Sequence, residues 1–300
     1  MQREQRVLVL GGTGFLGSYF VRSLGKRAVV HTTKTFNSFH EANFQRLVFQ
    51  KNKVDEVRVF LEKQNCGTII NCIALADIEK CEKDQGLAYW INQDLPGFLS
   101  ANSKSLDYKF VHISTDAVFD GSSSFRTEQD NPSPLSIYGK SKWGGEQLVL
   151  ANNADSLVAR VNFFGQSSNK TSLFNFFYDN LLSRRSVTGF TDVFFTPLYA
   201  IDLINAITQL LDLKTKGLMH VVGDERISKF DFGALITEIF EIPAIYLKKG
   251  KMIGTNGVTN RSSDLSLSND KIKSLGVNLP SVREGLAILK KDIDNRRRLP

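Results

Sequence analysis

Two residues in the segment SIYGKSKWGGEQLVL, at 136–150, have the type and spacing that can move a proton. Tyr138 and Lys142 stand four apart in a stretch with helical periodicity, so both project from one face. A free tyrosine, with a pKa of about 10, is a poor acid or base near neutrality. An adjacent ammonium stabilises the phenolate and lowers that value, so the pair is expected to be tuned for proton transfer. Upstream, the run KFVHIS (109–114) ends in Ser114 and then Thr115, placing two hydroxyls at the end of an expected strand. Ligands of parallel sheets gather there, and a hydroxyl in that place can hold a carbonyl against the tyrosine. Tyr-x-x-x-Lys is common by chance, and an exposed helix pair is its ordinary reading. A glycine loop, a strand-end hydroxyl and then Tyr/Lys, in that order, is much rarer.

The glycine loop is GGTGFLG, residues 11–17, directly after the apolar run RVLVL (6–10). Gly12, Gly14 and Gly17 satisfy G-x-G-x-x-G, and Gly11, Gly14 and Gly17 satisfy G-x-x-G-x-x-G. In a strand–turn–helix setting such a loop lets the backbone approach a pyrophosphate and aims a helix N-terminus at it. A purely structural turn is the competing reading. An acidic residue at the end of the second strand would select NAD, but VVHTTKTFN carries Thr32, Thr33 and Lys34 and no acid before Glu41. Hydroxyls and a cation there suit the 2′-phosphate of NADP, with NAD(H) the alternative and a solvated Lys34 the competing reading.

These groups need a scaffold, and the first half of the chain supplies the rhythm of one. Strand-like runs at 6–10, 28–32, 68–73 and 109–114 alternate with helical stretches at 14–25, 54–64 and 87–104, the last interrupted by Pro96, which should kink or break it. Alternation of this kind predicts an α/β fold with a parallel sheet covered on both faces. Further helices are expected at 172–186 and 200–214, the first a Phe-rich stretch that reads as core. Three hundred residues, 42% hydrophobic and 23% charged, suit a globular protein of one large domain or two smaller ones. The apolar runs are too short for a membrane span and MQREQ does not open a signal peptide, so a cytoplasmic protein is expected. Cys66, Cys72 and Cys81 lack metal spacing and are expected as reduced thiols; His31, His40, His112 and His220 read as core or surface imidazoles, and no metal site is predicted. The net charge of +7 is spread out apart from RRR at 296–298, which fits anionic small molecules at least as well as nucleic acid.

At these residues the chain resembles the extended short-chain dehydrogenase/reductase superfamily, and within it the dTDP-4-dehydrorhamnose reductase family. The likeness runs through GGTGFLG, NCIALADIEKCEKD, INQDLPGFLSAN, VHISTDAVFDG, TEQDNPSPLSIYGKSKWGGE, ARVNFFG, FFTPLYAIDLINAI and RSSDLSLSNDKIKSLG. It implies a Rossmann-type doubly wound sheet over residues 1–160, with later segments returning to it, and a smaller C-terminal α/β substrate domain over 161–300. It also implies Tyr138 as proton donor, Lys142 on the nicotinamide ribose, and Thr115, rather than Ser114, as the catalytic hydroxyl. Cofactor contacts implied are Gly11, Gly14, Phe15, Leu16, Gly17, Thr33, Lys34, Asn71 and Ala74; substrate contacts implied are Ala76, Ser114, Asp116, Phe163, Thr196 and Arg261. Asn92 matches an asparagine common in the superfamily, with a local helix-to-backbone bond as its ordinary reading.

The activity implied is NADPH-dependent reduction of a nucleotide-activated keto-deoxysugar, as in dTDP-rhamnose and polysaccharide biosynthesis, by a protein that could be a homodimer and binds neither nucleic acid nor membrane. Departures from the family's pattern bear on the sugar: Ala117 replaces an aromatic, Leu75 and Ala76 replace a His-Thr pair, and Phe163 replaces a tryptophan. Polar groups lost near Leu75 would remove hydrogen bonds that discriminate strongly between sugars. Two other functions share the scaffold. An epimerase or dehydratase needs further acid/base groups, and no Glu stands before Thr115. A non-catalytic NADP-binding regulatory subunit, like that of methionine adenosyltransferase, would keep the same residues without turnover.

Overall fold

The computed structural model describes residues 3–32, 43–252 and 262–298. The chain divides into two units, one of Met1–Val118, Ser136–Arg160 and Leu211–Met219, the other of Phe119–Leu135, Val161–Leu210 and His220–Pro300. Residues 119–135, placed with the first domain from sequence, thus fall in the second unit.

The first unit is built on strands β1 (Val7–Leu10), β2 (Ala28–Thr32), β3 (Asn43–Arg46), β4 (Thr68–Asn71), β5 (Lys109–Thr115) and β6 (Leu157–Val161). With the strand Gly217–Val221 they form one seven-stranded sheet, in which β6, β5, β4, β1, β2 and β3 follow that strand in order. β1 runs parallel to β2 and β4, β2 to β3, and β4 to β5. β1, β4 and β6 are buried along their whole length, as strands of a parallel sheet covered on both faces are, and in β1 this gives the unbroken apolar run VLVL. Strand order leaves β1 in opposite directions, toward β2 on one side and β4 on the other, so the doubly wound switch point lies between β1 and β4. β3 escapes the sequence reading because it is an edge strand with a single partner and a mixed sequence, NFQR.

Helices α1 (Phe15–Leu24), α2 (Val54–Gln64), α3 (Ile78–Lys83), α4 (Gln85–Tyr89), α5 (Leu95–Ser103) and α6 (Ile137–Asn152) complete this unit. The third expected helix is interrupted just ahead of Pro96, as expected. A π turn over Trp90–Asp94 precedes it, and Pro96 sits in the first turn of α5, where its missing N–H is least costly. Leu8, Leu10, Ile69, Leu95, Leu99, Phe110 and Val158 share one core beneath these helices.

The second unit contains α7 (Leu173–Leu182), α8 (Ala200–Asp212), α9 (Lys229–Ile239), α10 (Asp270–Ser274) and α11 (Val282–Arg298). Its centre is aromatic: Phe164 and Phe232 lie 5.3 Å apart in an edge contact, and Phe174 stacks on Tyr178 at 5.1 Å. Phe174 and Phe177 are buried, while Phe176 faces outward. Among the described residues no helix is long and apolar enough to cross a membrane.

Candidate active site

The glycine turn stands at the switch point. Gly11 has φ +74°, a left-handed conformation that favours glycine, and a Cβ there would lie 3.2 Å from the backbone of Cys72, at the end of β4. Gly17 has a different reason to be glycine, since a Cβ on it would fall 2.2 Å from the Gly11 carbonyl oxygen. Gly14 is exposed, and a Cβ there would meet a single protein atom, the Gly11 carbonyl at 3.1 Å. Gly14 caps α1 without a side-chain hydrogen bond. The fold itself therefore explains Gly11 and Gly17 and makes little demand on Gly14. Phe15 is half-buried and Leu16 buried, both in the first turn of α1.

Two contacts anchor this turn to β2. The Gly11 N–H donates to His31 Nδ1 at 3.4 Å, and His31 Nε2 lies 2.8 Å from the Leu47 carbonyl. Stacked on Phe49 at 4.4 Å and buried, His31 has its pKa pushed down to about 4, mainly by desolvation and against the Leu47 hydrogen bond. The hydroxyls of Thr13 and Thr32 lie 3.0 Å apart, so Thr32 is engaged within the protein. Thr33 and Lys34 lie outside the described residues.

Helix α6 carries the proton-transfer pair on an unusual face. Its buried residues are Gly139, Ser141, Lys142, Gly145, Glu146 and Val149, more polar than apolar. Ser136 accepts the Gly139 N–H and Glu82 accepts the Ile137 N–H, satisfying two of the donors that a helix start leaves unpaired and fixing Tyr138 in the first turn. Gly145 lets the helix settle onto the π turn, because a Cβ there would lie 2.2 Å from the Asn92 carbonyl oxygen.

Thr115 ends β5. Its hydroxyl donates to Asp116 at 3.0 Å and accepts the Ala117 N–H at 3.2 Å. It also hydrogen-bonds Tyr138, which draws the tyrosine pKa down, but burial outweighs this and Asp116 and Cys81 add to it, pushing Tyr138 up to about 12. That reverses the expectation of a lowered value. The physical reason is where Lys142 points: its Nζ donates to the Ile113 carbonyl at 2.6 Å and lies 3.3 Å from His112 Nε2. Burial draws Lys142 down to about 8, with Glu146 and Cys72 acting upward.

The other expected contacts separate into inward- and outward-facing groups. Ser114 is buried and its hydroxyl donates to Glu146 Oε1 at 2.5 Å. Glu146 in turn accepts from Arg160, whose Nη2 lies 2.8 Å away and whose Nε lies 3.0 Å from the other oxygen. Asn71 is also turned inward, accepting the Ile73 N–H at 3.1 Å and lying 3.2 Å from His112 Nδ1. Ala74 and Ala76 are exposed in the segment after β4. Asn92 fixes that segment by bonding both the N–H (2.9 Å) and the carbonyl (3.0 Å) of Leu75, a far longer reach than a local helix contact. Phe163 and Thr196 belong to the second unit; Phe163 is half-buried, and Thr196 is buried with its hydroxyl accepting the Leu267 N–H at 3.1 Å. Arg261 lies outside the described residues.

Sequence reasoning passed over Glu146, Arg160 and the contacts of His112. Arg160 left a signal, a charge inside the strand LVARV, which the centre of a sheet tolerates only with a buried partner. Glu146 continues the Tyr138/Lys142 stripe by four residues. A cavity of about 870 Å³ in the first unit holds none of these groups: it adjoins Thr68, Lys109 and Leu157, the first residues of β4, β5 and β6, at the opposite end of the sheet from Thr115.

With this fold and site, residues 5–294 match the RmlD substrate binding domain family, and the chain belongs to that family. Among its relatives, the probable low-salt glycan biosynthesis reductase Agl14 of Haloferax volcanii is 32% identical over 94% of this chain and 96% of its own. Methionine adenosyltransferase 2 subunit beta of Mus musculus is 27% identical over 91% of this chain and 83% of its own. A hypothetical dTDP-4-dehydrorhamnose reductase from Sulfolobus tokodaii, of known structure, is 31% identical with a TM-score of 0.79, covering 93% of this chain and 98% of that one. The Bacillus anthracis dTDP-4-dehydrorhamnose reductase, solved in complex with NADP, shares the fold at a TM-score of 0.82 and 23% identity, covering 96% and 99%.

Proposed function

We propose that the protein is an NADPH-dependent oxidoreductase that reduces the keto group of a nucleotide-activated deoxysugar. The observation that carries this reading is Tyr138, half-buried in the first turn of α6, near the strand-end Thr115 and held in its protonated form mainly by desolvation. With its one proton committed to Asp116, Thr115 would orient the tyrosine, and a carbonyl accepting from Tyr138 would receive the tyrosine's proton as its oxygen gains charge. Asp116 fixes the Thr115 hydroxyl and so orients that pair.

The glycine turn fits a dinucleotide. Gly14 is the position where the protein's own packing asks least for a glycine, and it opens a helix N-terminus without a side-chain cap. Gly11, Gly14, Phe15, Leu16 and Gly17 would hold the pyrophosphate through their backbone, with Ala74 exposed beside the neighbouring strand end and Lys142 holding the nicotinamide ribose. Bound there, NADPH supplies the hydride. The acid-free stretch after β2, with Thr33 and Lys34, favours NADPH over NADH. Phe163 and Arg261 remain the proposed substrate contacts of the second unit, with Ala76 and Asp116 those of the first, while Thr196, buried with its hydroxyl on the Leu267 N–H, would act from behind them. The inward-facing Ser114 and Asn71 act by supporting this frame.

One observation favours a second reading, that of a cofactor-binding regulatory subunit: Lys142 is turned onto β5 and does not lower the Tyr138 pKa. A panel of dTDP-, UDP- and GDP-linked 4-keto-6-deoxysugars, assayed for NADPH oxidation, separates the two. At least one substrate should be reduced with matching NADPH consumption. Tight NADPH binding with no oxidation across the panel would overturn the reductase reading.

A further inference from the structure

Asn71, His112 and Lys142 are each buried, and their hydrogen-bonding capacities determine one another. The Asn71 carbonyl oxygen accepts the Ile73 N–H at 3.1 Å, which fixes the amide's orientation and leaves its NH₂ facing His112 Nδ1 at 3.2 Å. An NH₂ group only donates, so Nδ1 must be the bare nitrogen. Burial holds His112 well below its ordinary pKa, so the ring is neutral and its one proton sits on Nε2. Nε2 lies 3.3 Å from Lys142 Nζ. The lysine therefore faces a donor where an ammonium would want an acceptor.

We propose that Asn71 locks His112 as its Nε2–H tautomer, and that this N–H, aimed at Lys142, is a positioning device that favours the neutral amine until ribose hydroxyls replace the histidine as the lysine's partner. The last part rests on the cofactor reading above; the tautomer lock does not.

The surroundings of Lys142 are consistent with this. The groups facing it are His112 from β5, the Cys72 thiol after β4, and Glu146 on its own helix. Cys72 is pushed up to about 12 by burial and stays neutral. Glu146 is shared between Arg160 and Ser114, so its charge is largely committed elsewhere. Of the elements packed on α6, α3 brings Cys81 and Glu82, and the turn after β5 brings Asp116, all toward the Tyr138 end. The π turn brings Asp94, paired with Lys51 at 3.7 Å. A neutral Lys142 can accept from His112 and donate to Ile113 together, which an ammonium cannot.

The test uses the full chain. Histidine-selective ¹³C/¹⁵N NMR distinguishes the two neutral tautomers, and with four histidines in the sequence the His112 signal is assigned by its loss in His112→Leu. The expected result is an Nε2–H imidazole that stays neutral from pH 8 to pH 6. An Nδ1–H ring, or a charged ring at pH 7, overturns the lock. Lysine-selective ¹³C labelling, assigned by Lys142→Met, then follows the amine in the free protein. Removing the facing N–H in His112→Leu should raise the Lys142 midpoint by up to about one pH unit, the size of one net hydrogen bond. An unchanged or lowered midpoint shows that the N–H does not set the amine's state and overturns that step. Where His112→Leu does not fold, His112→Phe, which keeps a ring but carries no N–H, replaces it with the same criterion.

Finally, calorimetric titration with NADP⁺ in two buffers of different ionisation enthalpy counts protons. At the pH of the Lys142 midpoint found by NMR in the free protein, roughly half a proton should be taken up per site. Binding without proton uptake overturns the exchange of partners. Failure of NADP⁺ to bind at all, with the tautomer and titration results as expected, would instead remove the cofactor reading and leave the lock standing.

Discussion

Replacing Arg160 by Met should be among the more damaging single changes in the first unit, and the structure gives its size. Arg160 and Glu146 are 2% and 1% exposed, and the guanidinium holds both oxygens of the carboxylate. Removing the cation leaves Glu146 with the Ser114 hydroxyl and with Lys142, which is drawn toward neutrality. Breaking one side of a buried pair typically costs about 3–5 kcal/mol, a large part of the stability of most domains. Glu146→Leu should cost a similar amount, because it removes the buried counter-charge of the arginine. The double variant Glu146→Leu/Arg160→Met removes both charges and leaves Ser114 as the main unsatisfied donor, worth about 1–3 kcal/mol. It should therefore be more stable than either single variant. Urea unfolding at pH 7, compared at constant m-value, measures all four corners of this cycle. If Arg160→Met costs less than about 1 kcal/mol, or the double variant loses the sum of the two single losses, the buried pair does not hold α6 to β6 as described.

Three further outcomes follow from the site. Tyr138→Phe should retain NADPH affinity but lose about 10²- to 10⁴-fold in turnover, whereas Lys142→Met should lose both; equal effects on binding and rate in the two variants would contradict the assigned roles. Gly14→Val should fold yet fail to bind dinucleotide in a fluorescence titration, whereas Gly17→Val, whose Cβ falls 2.2 Å from the Gly11 oxygen, should lower the melting temperature whether or not cofactor is present. The folded-state pKa of His31 lies at about 4, below the ordinary histidine value of 6.5, so the unfolded chain binds the extra proton between these limits and stability falls as pH drops from 6.5 toward 4. By pH 5 the loss from this residue is about 2 kcal/mol, with His112 adding in the same direction, so His31→Gln should show a shallower decline in urea midpoint between pH 7 and pH 5.

Much of the frame was legible because it rests on local rules. The strand–glycine–helix start, the αβ alternation and the Tyr138/Lys142 spacing are each set by residues close in sequence, and α2 appears over the same residues, 54–64, that its periodicity marks. What stayed hidden depends on contacts across the sheet. The pairing of Ser114 with Glu146 joins β5 to α6, 32 positions away, so a strand-end hydroxyl that looks available from sequence is already engaged. Asn71 and His112 meet across neighbouring strands 41 positions apart. The Tyr138 pKa was misjudged because helical spacing places Lys142 on the same face but does not say toward which atoms its amine points. Strand β3 was missed since an edge strand needs little apolar patterning.

The direction of the Tyr138 shift has its own bearing on the reaction. A reduction needs an acid that is protonated when the carbonyl binds and stronger than the alkoxide's conjugate alcohol. Desolvation of Tyr138 supplies the first condition. The same lysine that does little for Tyr138 from its place on β5 would stabilise the phenolate if ligand binding gave it a proton and released it from His112. Proton delivery would then be coupled to occupancy of the cofactor site, and the pieces that couple them, Asn71 and His112, stand on β4 and β5, one on either side of the same strand pair.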